Sequence, residues 1–296
     1  MKKIKITIIG LGLIGGSLGL LLKKKTKSFV VGFSRHRKTL REAIEFGAID
    51  QQAKSLEESV READIIFIAT PISTIPNVFK QIAGLVKPHT IITDIGSVKT
   101  NIVEQALKIL PQNVSFIGGH PMAGKEKSGI DNANINLLKN CTWILTPTKN
   151  TNKQSLQKLI SLINQIGCKP VILNTEFHDK AVAGISHLPA ILSSILCAIC
   201  GEEKDWIETQ KLAAEGFRDT SRIAANPPLL HTDFCLSNQN NINKLINNTI
   251  KELKNFQCHI NKKDKQQLLL FFQKAQRIRN EWFVNSRFYP SKTRRK

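Results

Sequence analysis

The chain has 296 residues, enough for about two domains, and 41% of them are apolar and 22% charged. This composition is typical of a soluble globular protein and excludes a disordered or fibrous chain. The formal net charge of +20 would suit a polyanionic partner. However, 32 of the 43 basic residues are lysines scattered along the chain and only 11 are arginines, so we attribute the charge to background composition and expect no nucleic-acid partner. We interpret the basic cluster at residues 285–296 as a solvated tail.

The first 25 residues imitate a secretion signal, because lysines precede an apolar run over residues 6–22. Glycines interrupt this run, and no small-residue cleavage site precedes the lysines at 23–25. No other uninterrupted apolar stretch has the length of a membrane span. We therefore expect an uncleaved, soluble chain with no membrane partner, located in the cytoplasm or, for a plastid-encoded protein, in the stroma.

The six cysteines are irregularly spaced, and only Cys197 and Cys200 form a C-x-x-C motif. That pair lies in an apolar helical stretch without a second pair, so it is weak evidence for zinc, and we predict no metal site. We predict instead that the cysteines are buried structural thiols in a reducing compartment.

A glycine motif stands between a strand and a helix near the N-terminus. Residues 4–9 form a β-branched run of strand length, residues 18–25 form a helical run, and residues 29–33 form a second short strand. Between the first strand and the helix lies the sequence Gly10-Leu11-Gly12-Leu13-Ile14-Gly15. This order of strand, glycine turn, helix and strand is the one that a dinucleotide-binding fold requires.

Each glycine has a mechanical role in that interpretation. Gly10 permits the tight turn, Gly12 lets a pyrophosphate approach the backbone, and Gly15 lets the helix pack on the strand. We predict cofactor contacts at Leu13 and Ile14 as well, because a helix N-terminus offers free N–H groups and partial positive charge to phosphate. The alternative is a glycine-rich turn without a ligand.

The residues after the second strand select the cofactor. An NAD site usually places a carboxylate there to hold the ribose 2′-hydroxyl, but this chain has Ser34-Arg35-His36-Arg37 and no carboxylate before Glu42. A small hydroxyl followed by arginine suits a 2′-phosphate, since a guanidinium offers a forked, charged donor set. We predict NADP, bound by Ser34, Arg35 and Arg37; the alternative is a solvent-exposed basic turn.

Strands and helices then alternate to about residue 174. This alternation predicts an α/β fold with a doubly wound parallel sheet, and a nucleotide-binding domain over residues 1–174. Ligands bind beyond the carboxyl ends of such strands, where Thr70, Pro71, Ser97 and His120 lie, and we predict cofactor contacts at the first three. The predicted strands are 64–69, 90–95, 115–118, 141–146 and 170–173, and the predicted helices are 39–46, 72–85, 98–110 and 153–166.

Two of these residues have the chemistry of a catalytic site. His120 follows two glycines and precedes Pro121 directly after a predicted strand, and a histidine with a near-neutral pKa is a natural general base. A loop histidine that caps a helix or fills a gap is an equal alternative. Ser97 lies between a strand and a helix, where it caps the helix, directs its hydroxyl at nicotinamide and substrate, or does both.

Helical patterns dominate residues 175–284, for which we predict a second, helical domain. Arg218 and Arg222 are the first arginines after Arg61, and they stand four residues apart beside Asp219. That spacing predicts that both lie on one helical face, as in a site for a substrate carboxylate. The alternative is an arginine–aspartate pair that joins helices.

Taken together, these motifs resemble the prephenate/arogenate dehydrogenase family of tyrosine biosynthesis, most closely its cyanobacterial, NADP-dependent arogenate type. The matching segments run in family order over about residues 4–260. They are the glycine motif at 10–17, Thr70-Pro71, Asp94-Ile-Gly-Ser-Val-Lys99, Gly118-Gly-His-Pro-Met-Ala-Gly124, Ile185-Ser-His-Leu-Pro189 and Gly216-Phe-Arg-Asp-Thr-Ser-Arg222.

The resemblance implies a Rossmann-type domain followed by an all-helical domain that carries a homodimer, with oxidative decarboxylation of a cyclohexadienol as the reaction. It implies that His120 accepts the proton of the ring hydroxyl and that Ser97 orients that hydroxyl.

The resemblance also implies a set of substrate contacts. A substrate carboxylate would lie on Arg222, with Arg218 less directly involved, and further contacts would come from His187 and Glu126. For His187, a role in bracing the helix stays open.

The chain departs from the family pattern at two places. Many members have a second histidine where Ala190 stands, and many have a tryptophan in the stretch that here reads Asn-Pro-Pro-Leu-Leu-His at 226–231. We take the missing histidine as a reason to predict arogenate as the substrate, with prephenate as the alternative.

Other functions need fewer of these residues. A β-hydroxyacid dehydrogenase, an imine reductase or a non-catalytic NADP sensor would keep the glycine motif, but none of them requires the His120 loop together with Ser97 or the arginine segment. A nucleic-acid binder would rest on net charge alone, because aromatic residues are only 6% of the chain and no basic patch is interleaved with them.

Overall fold

The computed structural model describes residues 3–285, and its centre is one eight-stranded sheet with the strand order β3-β2-β1-β4-β5-β6-β7-β8. All neighbouring strands are parallel except β6 and β7, which are antiparallel. The strands are β1 Lys5–Ile9, β2 Phe29–Phe33, β3 Gln51–Gln52, β4 Ile65–Ile68, β5 Ile91–Asp94, β6 Ser115–Pro121, β7 Thr142–Thr146 and β8 Lys169–Ile172. The predicted nucleotide-binding fold is confirmed, except that β7 and β8 run opposite to the other six strands, which the prediction lacked.

Helices cover both faces of the sheet and form nearly all of the chain after β8. The helices around the sheet are α1 Leu13–Lys25, α2 Arg37–Glu45, α3 Leu56–Val60, α4 Ile75–Ile82, α5 Thr100–Ile109 and α6 Lys153–Gln165. The later ones are α7 Thr175–Val182, α8 Leu188–Gly201, α9 Trp206–Thr209, α10 Glu215–Ser221, α11 Pro228–Ser237, α12 Gln239–Asn261 and α13 Lys265–Asn285. A π-helical turn, Ala183–His187, joins α7 to α8.

The core lies between the sheet and its helices. The central strands are continuous apolar runs, as expected for parallel strands covered on both faces, and Ile8, Ile66 and Phe67 are fully buried. Trp143 of β7 is also fully buried and meets Phe67 edge to face, with ring centroids 6.0 Å apart. This packing fixes the sheet rigidly, so the residues at the carboxyl ends of its strands keep defined positions.

Several predicted boundaries are wrong. The predicted helix at 72–85 is a single 3₁₀ turn, Ile72–Thr74, followed by α4, because Pro76 is compatible with a helix only in its first turn. The predicted strand at 115–118 continues to Pro121, so His120 lies on β6 and not in a loop after it. His120 pairs with Ile144 of the antiparallel strand β7. The pairing with β7 extends β6 by three residues beyond its predicted end.

The segment Thr175–Gly201 runs as one continuous helix through the π turn. By length and composition alone it is able to cross a membrane, with a mean hydropathy of 1.9, contrary to the expectation that no such stretch exists. Core helices of soluble proteins pass the same test. Its polar residues His178, Asp179 and His187 are buried inside the protein.

The chain divides into two compact units, residues up to 242 and residues from 243 onward. The first unit holds the sheet and the helices through α11, and the second holds most of α12 and all of α13. Within the second unit the ring of Phe256 packs against Phe271 and Phe272 at centroid distances of 5.1 and 5.6 Å. The domain boundary predicted at 174/175 stays a prediction, and residues 286–296 of the predicted basic tail lie outside the described residues.

The prediction of six buried thiols is wrong for four of them. Cys141 and Cys168 are buried, whereas Cys197, Cys200 and Cys235 are partly exposed and Cys258 is exposed. The Sγ atoms of Cys141 and Cys168 lie 3.7 Å apart, within hydrogen-bond distance for sulfur. Among the described residues no group of three or more histidine, cysteine or acidic side chains is arranged to hold a metal ion.

Candidate active site

The glycine turn after β1 opens into a cavity of about 670 Å³. Gly10 has φ +95°, and a Cβ there would lie 2.6 Å from the carbonyl oxygen of Ala69. A Cβ on Gly15 would lie 2.0 Å from the carbonyl oxygen of Gly10, so α1 packs directly on the turn. By contrast, a Cβ on Gly12 would meet nothing within 4 Å, and Gly12 lines the cavity. The turn therefore has the open backbone that a phosphate group needs for close approach.

Predicted cofactor residues converge on this cavity from three strand ends. Ser34 and Arg35 line it after β2, and Thr70 and Pro71 line it after β4. None of the residues that line it is acidic. The hydroxyl of Thr70 is buried and has no hydrogen-bond partner among the described residues, which leaves it free for a ligand.

Other predicted cofactor residues do not line the cavity, and several lining residues were not predicted. Arg37 is the first residue of α2 and is exposed, and the lining does not include Leu13, Ile14, Gly15 or Ser97. The unpredicted lining residues with polar side chains are His36, Thr39, Ser73, Thr74, Asn77 and Gln81. Two of them, Asn77 and Gln81, lie on α4. The proline near the start of that helix was visible in the sequence, but the 3₁₀ turn that directs the helix toward the cavity was not.

The predicted base, His120, takes part in a chain of hydrogen bonds with two residues of α7. Its Nδ1 lies 2.9 Å from Nε2 of His178, and Nδ1 of His178 lies 2.8 Å from Oδ1 of Asp179. His178 is fully buried and Asp179 nearly so. The carboxylate of Asp179 also accepts the backbone N–H groups of Lys99 and Thr100, at 2.7 and 2.8 Å.

This chain of bonds links the tautomers of the two rings. A carboxylate only accepts, so Nδ1–H of His178 donates a hydrogen bond to Asp179. The bond between the rings is consistent with Nδ1–H of His120 as the donor and Nε2 of His178 as the acceptor. In that arrangement the lone pair of His120 lies on Nε2, the nitrogen outside the chain, as a general base requires.

The electrostatic surroundings keep His120 neutral. Burial is the main cause that holds the pKa of His120 well below its ordinary value, and the nearby charge of Lys99 acts in the same direction. For Asp179, burial alone would raise the pKa, but hydrogen bonds from His178, Thr100 and Lys99 outweigh burial and lower it. A neutral imidazole thus stands at one end of the chain and an ionised carboxylate at the other.

His187 is held at the π turn with one ring nitrogen satisfied. Asn238 of the α11–α12 junction places its side-chain amide 2.8 Å from the carbonyl of Asp179 and 3.3 Å from Nδ1 of His187. The His187 ring stacks on Phe234 with centroids 4.2 Å apart. Burial lowers the pKa of His187 to about 4, so the ring is neutral.

Because the amide of Asn238 donates to Nδ1, the proton of His187 lies on Nε2. That nitrogen is buried and has no hydrogen-bond partner in the part of the chain that the structure describes. The His187 ring therefore stacks on Phe234, as the bracing role predicts. It also keeps one N–H group that is available for the predicted contact with a substrate.

Ser97 does not cap α5, which begins at Thr100 with Lys99 as its N-cap residue. The predicted capping role is therefore wrong. Its hydroxyl is buried and, within residues 3–285, has no hydrogen-bond partner. A buried hydroxyl without a partner is costly in a closed core and is common where a ligand completes the bonding.

The two predicted arginines have different acidic partners. Arg218 on α10 pairs with Asp219 at 2.9 Å and with Glu215 at 3.6 Å. Arg222 directly follows α10, in a 3₁₀ turn, and pairs with Glu126 of the segment after β6. The side chains of both arginines are more than half exposed, and their shared role as an anion site stays a prediction.

Sequence reasoning missed His178, Asp179 and Asn238. The available signal was the His-Asp dipeptide in α7, because both of these polar residues are buried while Glu176 and Lys180 beside them are not. No spacing rule connects that dipeptide to His120, 58 residues earlier. The two sites are brought together only by the folded structure, in which α7 lies beside β6.

The fold and the cavity define a nucleotide-binding protein of the doubly wound α/β class, extended by helices. Two family descriptions match the chain: "Prephenate dehydrogenase, nucleotide-binding domain" over residues 18–172 and "Prephenate dehydrogenase, dimerization domain" over residues 174–274. The chain belongs to this prephenate/arogenate dehydrogenase family of oxidoreductases, and the resemblance inferred from its motifs is confirmed.

Individual relatives agree with this assignment. The chain is 38% identical over 290 residues to a prephenate dehydrogenase of Lactococcus lactis, covering 97% of this chain and 80% of the relative. Synechocystis arogenate dehydrogenase has 35% identity and a TM-score of 0.81, over 94% of this chain and all of that one. A prephenate dehydrogenase of A. aeolicus, in complex with hydroxyphenyl propionate and NAD+, has 28% identity and a TM-score of 0.88, over 95% and 99%.

Proposed function

We propose that this protein is an NADP-dependent arogenate dehydrogenase, which converts L-arogenate to L-tyrosine and CO2 with reduction of NADP+. The observation that carries the proposal is the hydrogen-bonded chain from Asp179 through His178 to His120. It leaves a neutral, correctly protonated imidazole at the carboxyl end of β6, on the sheet edge where the glycine turn also lies.

The residues of the cavity fit a dinucleotide. The open backbone at Gly12 accommodates a pyrophosphate, and the partnerless hydroxyl of Thr70 offers it a hydrogen bond. Ser34 and Arg35, with no acidic side chain in the lining, favour the 2′-phosphate of NADP over the free 2′-hydroxyl of NAD. When bound, the nicotinamide ring supplies the hydride acceptor.

In the reaction, Nε2 of His120 takes the proton of the substrate's ring hydroxyl. The hydride leaves the same carbon as a carbonyl develops, and the bond to the ring carboxylate breaks to release CO2. The electron pair of that bond moves into the ring, which becomes aromatic, and the phenolic oxygen takes the proton back from Nε2 of His120. The positive charge that forms on His120 is stabilised through His178 by the carboxylate of Asp179.

The partnerless polar atoms around His120 orient the substrate. We assign the hydroxyl of Ser97 to the reacting ring hydroxyl, and Nε2–H of His187 to an acceptor on the substrate. Arg222 binds a substrate carboxylate by exchanging its bond with Glu126 for one to the ligand. Arg218 contributes less, since Asp219 and Glu215 already hold it.

The helical part of the chain supports a homodimer. Large apolar side chains of the Thr175–Gly201 helix are exposed in the single chain, among them Ile185 at 70% and Ile199 at 60%. Exposed apolar side chains on one helix are typical of a subunit interface. The match of residues 174–274 to a dimerization domain leads us to propose a second copy of the chain as the partner.

Prephenate is the second candidate substrate, because relatives named prephenate dehydrogenase match almost the whole chain. The two substrates differ in the side chain, which is an amino acid in arogenate and a keto acid in prephenate. Ala190 is buried and offers no polar atom where many relatives have a histidine. This favours arogenate as the substrate.

The proposal is tested by steady-state formation of reduced cofactor with each substrate and each dinucleotide. We expect the highest kcat/KM with arogenate and NADP+. A higher value with prephenate would reassign the substrate, and a higher value with NAD+ would overturn the assignment of Ser34 and Arg35. A lack of turnover in all four combinations would overturn the proposed activity. We also propose a reducing compartment, in keeping with the free thiols of Cys197, Cys200, Cys235 and Cys258.

A further inference from the structure

A buried ion pair lies next to the backbone of the residue that precedes His120. Its two side chains have no role in the proposed reaction itself. Lys99 and Asp94 are both fully buried, and the Nζ of Lys99 bonds to Oδ2 of Asp94. Two buried charges cost desolvation free energy that an apolar pair of the same volume would avoid. The pair therefore raises the question of what it does for the fold or for the site.

Both members of the pair hold the peptide groups of the residue before His120. Nζ of Lys99 donates to the carbonyl oxygen of Gly119 at 2.8 Å, and the N–H of Gly119 donates to Oδ1 of Asp94 at 3.1 Å. A Cβ on Gly119 would lie 2.5 Å from the backbone oxygen of Asp94, so only glycine permits this approach. The backbone of β6 is thus fixed one residue before the base.

The same lysine is connected to the other end of the histidine chain. Its backbone N–H donates to Oδ1 of Asp179 at 2.7 Å, the oxygen that also binds Nδ1 of His178. Lys99 therefore holds His120 from two sides, through Gly119 with its side chain and through Asp179 and His178 with its backbone.

We propose that the buried Asp94–Lys99 pair is a positioning device for His120, which holds its strand in place and keeps a cation beside it. The inference rests on the proposed function, because it assigns His120 the role of base. Lys99 and Asp94 act through other groups and do not touch the substrate.

The cation makes the neutral form of His120 more stable. The titratable groups that face His120 are His178 on α7, His187 at the π turn and Lys99 before α5, and the charge of Lys99 lowers the pKa of His120. The carboxylates of Asp94 and Asp179 are bound to Lys99 and His178 respectively. Removal of the lysine charge therefore raises the pKa of His120, and the base becomes protonated at a higher pH.

The first experiment measures kcat/KM against pH for Lys99→Met. We expect kcat to fall at every pH, and the acidic limb of the profile to move to higher pH by about one unit, the scale of one nearby charge. Lys87→Met is the matched control, because Lys87 pairs with Asp64 at 2.7 Å near the opposite end of β4 and away from His120. We expect that control to keep the profile of the unchanged enzyme.

A second variant covers the case in which an unpaired buried Asp94 prevents folding of Lys99→Met. Asp94→Asn/Lys99→Met removes both charges at nearly constant volume, which folded proteins tolerate better than half of a buried pair. We expect the same direction of change. If either variant loses turnover only in proportion to its loss of folded protein and keeps the acidic limb in place, the pair is merely structural and the proposal is wrong.

A third measurement does not depend on turnover. The ring-proton signal of His120, assigned by its absence in His120→Asn, is titrated by NMR in the unchanged protein and in the folded variant. We expect a midpoint below 6.5 in the unchanged protein and a higher midpoint without Lys99. An ordinary midpoint of about 6.5 in the unchanged protein would overturn the proposal even if the enzyme turns over arogenate. If the titration behaves as expected but no substrate reacts, the proposed function fails and the electrostatic effect of the pair stands.

Discussion

Nδ1 of His120, on the last residues of β6, lies 2.9 Å from Nε2 of His178, on the first turns of α7. The two rings meet edge to face with centroids 5.1 Å apart, so they bond without stacking. This contact makes His178 the group that decides which nitrogen of His120 carries the proton. The base is therefore built by two parts of the chain, a strand of the sheet and the first helix after it.

Replacement of His178 by asparagine is expected to lower kcat while the protein stays folded and binds the dinucleotide. Asparagine fills part of the volume of the His178 ring, but it does not connect Asp179 to His120 through hydrogen bonds. We expect a loss within the roughly 10²–10⁴-fold that a positioned general base contributes. Stopped-flow measurement of the hydride-transfer step, with binding of NADP+ measured separately, distinguishes the two effects.

The control for this variant is His89→Asn. His89 is exposed and has φ 65°, a conformation that asparagine adopts readily, so we expect normal turnover. If His178→Asn retained full kcat, the relay would have no part in catalysis, and His120 would act alone.

The pH dependence of kcat/KM follows from the lowered pKa of His120. A base works in its unprotonated form, so activity is complete above the pKa of the folded protein and is lost as pH falls through it. Because that pKa lies well below 6.5, we expect the acidic limb to have its midpoint below pH 6.5. Initial rates from pH 4.5 to 9 at low substrate concentration measure it, and a midpoint at or above 6.5 would be evidence against a neutral, buried His120.

Cofactor selectivity is expected to depend on Arg35 and not on Arg37. Arg35 lines the cavity, whereas Arg37 is the first residue of α2 and does not. We expect Arg35→Ala to raise KM for NADP+ about tenfold, the value of one lost charge-assisted bond, and to change KM for NAD+ little. Arg37→Ala is the matched control, with both constants unchanged. Equal effects of the two variants would mean that the turn acts as a diffuse basic patch.

Local patterns predicted the nucleotide-binding part of the site well because its chemistry is local. The glycine turn, the residues after β2 and the pair Thr70-Pro71 each depend on one strand end and the turn that follows it. Five predicted cofactor residues do not line the cavity: Leu13, Ile14, Gly15, Arg37 and Ser97.

For the proposed catalytic part, the sequence pointed to His120, Ser97 and His187 but not to the partners of His120. Those partners are fixed by the contact of α7 with β6 and by the bonds of Asp179 to the start of α5. The same reason applies to Arg222. Helical spacing does not predict its pairing with Glu126, which lies 96 residues earlier in the chain.

Arg222 tests whether the exposed ion pair with Glu126 serves binding or stability. A pair with side chains 62% and 33% exposed stabilises a fold little, so loss of the pair alone is expected to leave the Tm nearly unchanged. A substrate carboxylate gains much more from the guanidinium, and we expect Arg222→Gln to raise KM for arogenate at least tenfold with a smaller change in kcat. Lys211→Gln is the control, because Lys211 forms an exposed pair with Glu208 at 2.7 Å and has no proposed ligand. An unchanged KM with a lower Tm in Arg222→Gln would show that the pair braces the segment after β6, and the substrate carboxylate would then need another partner.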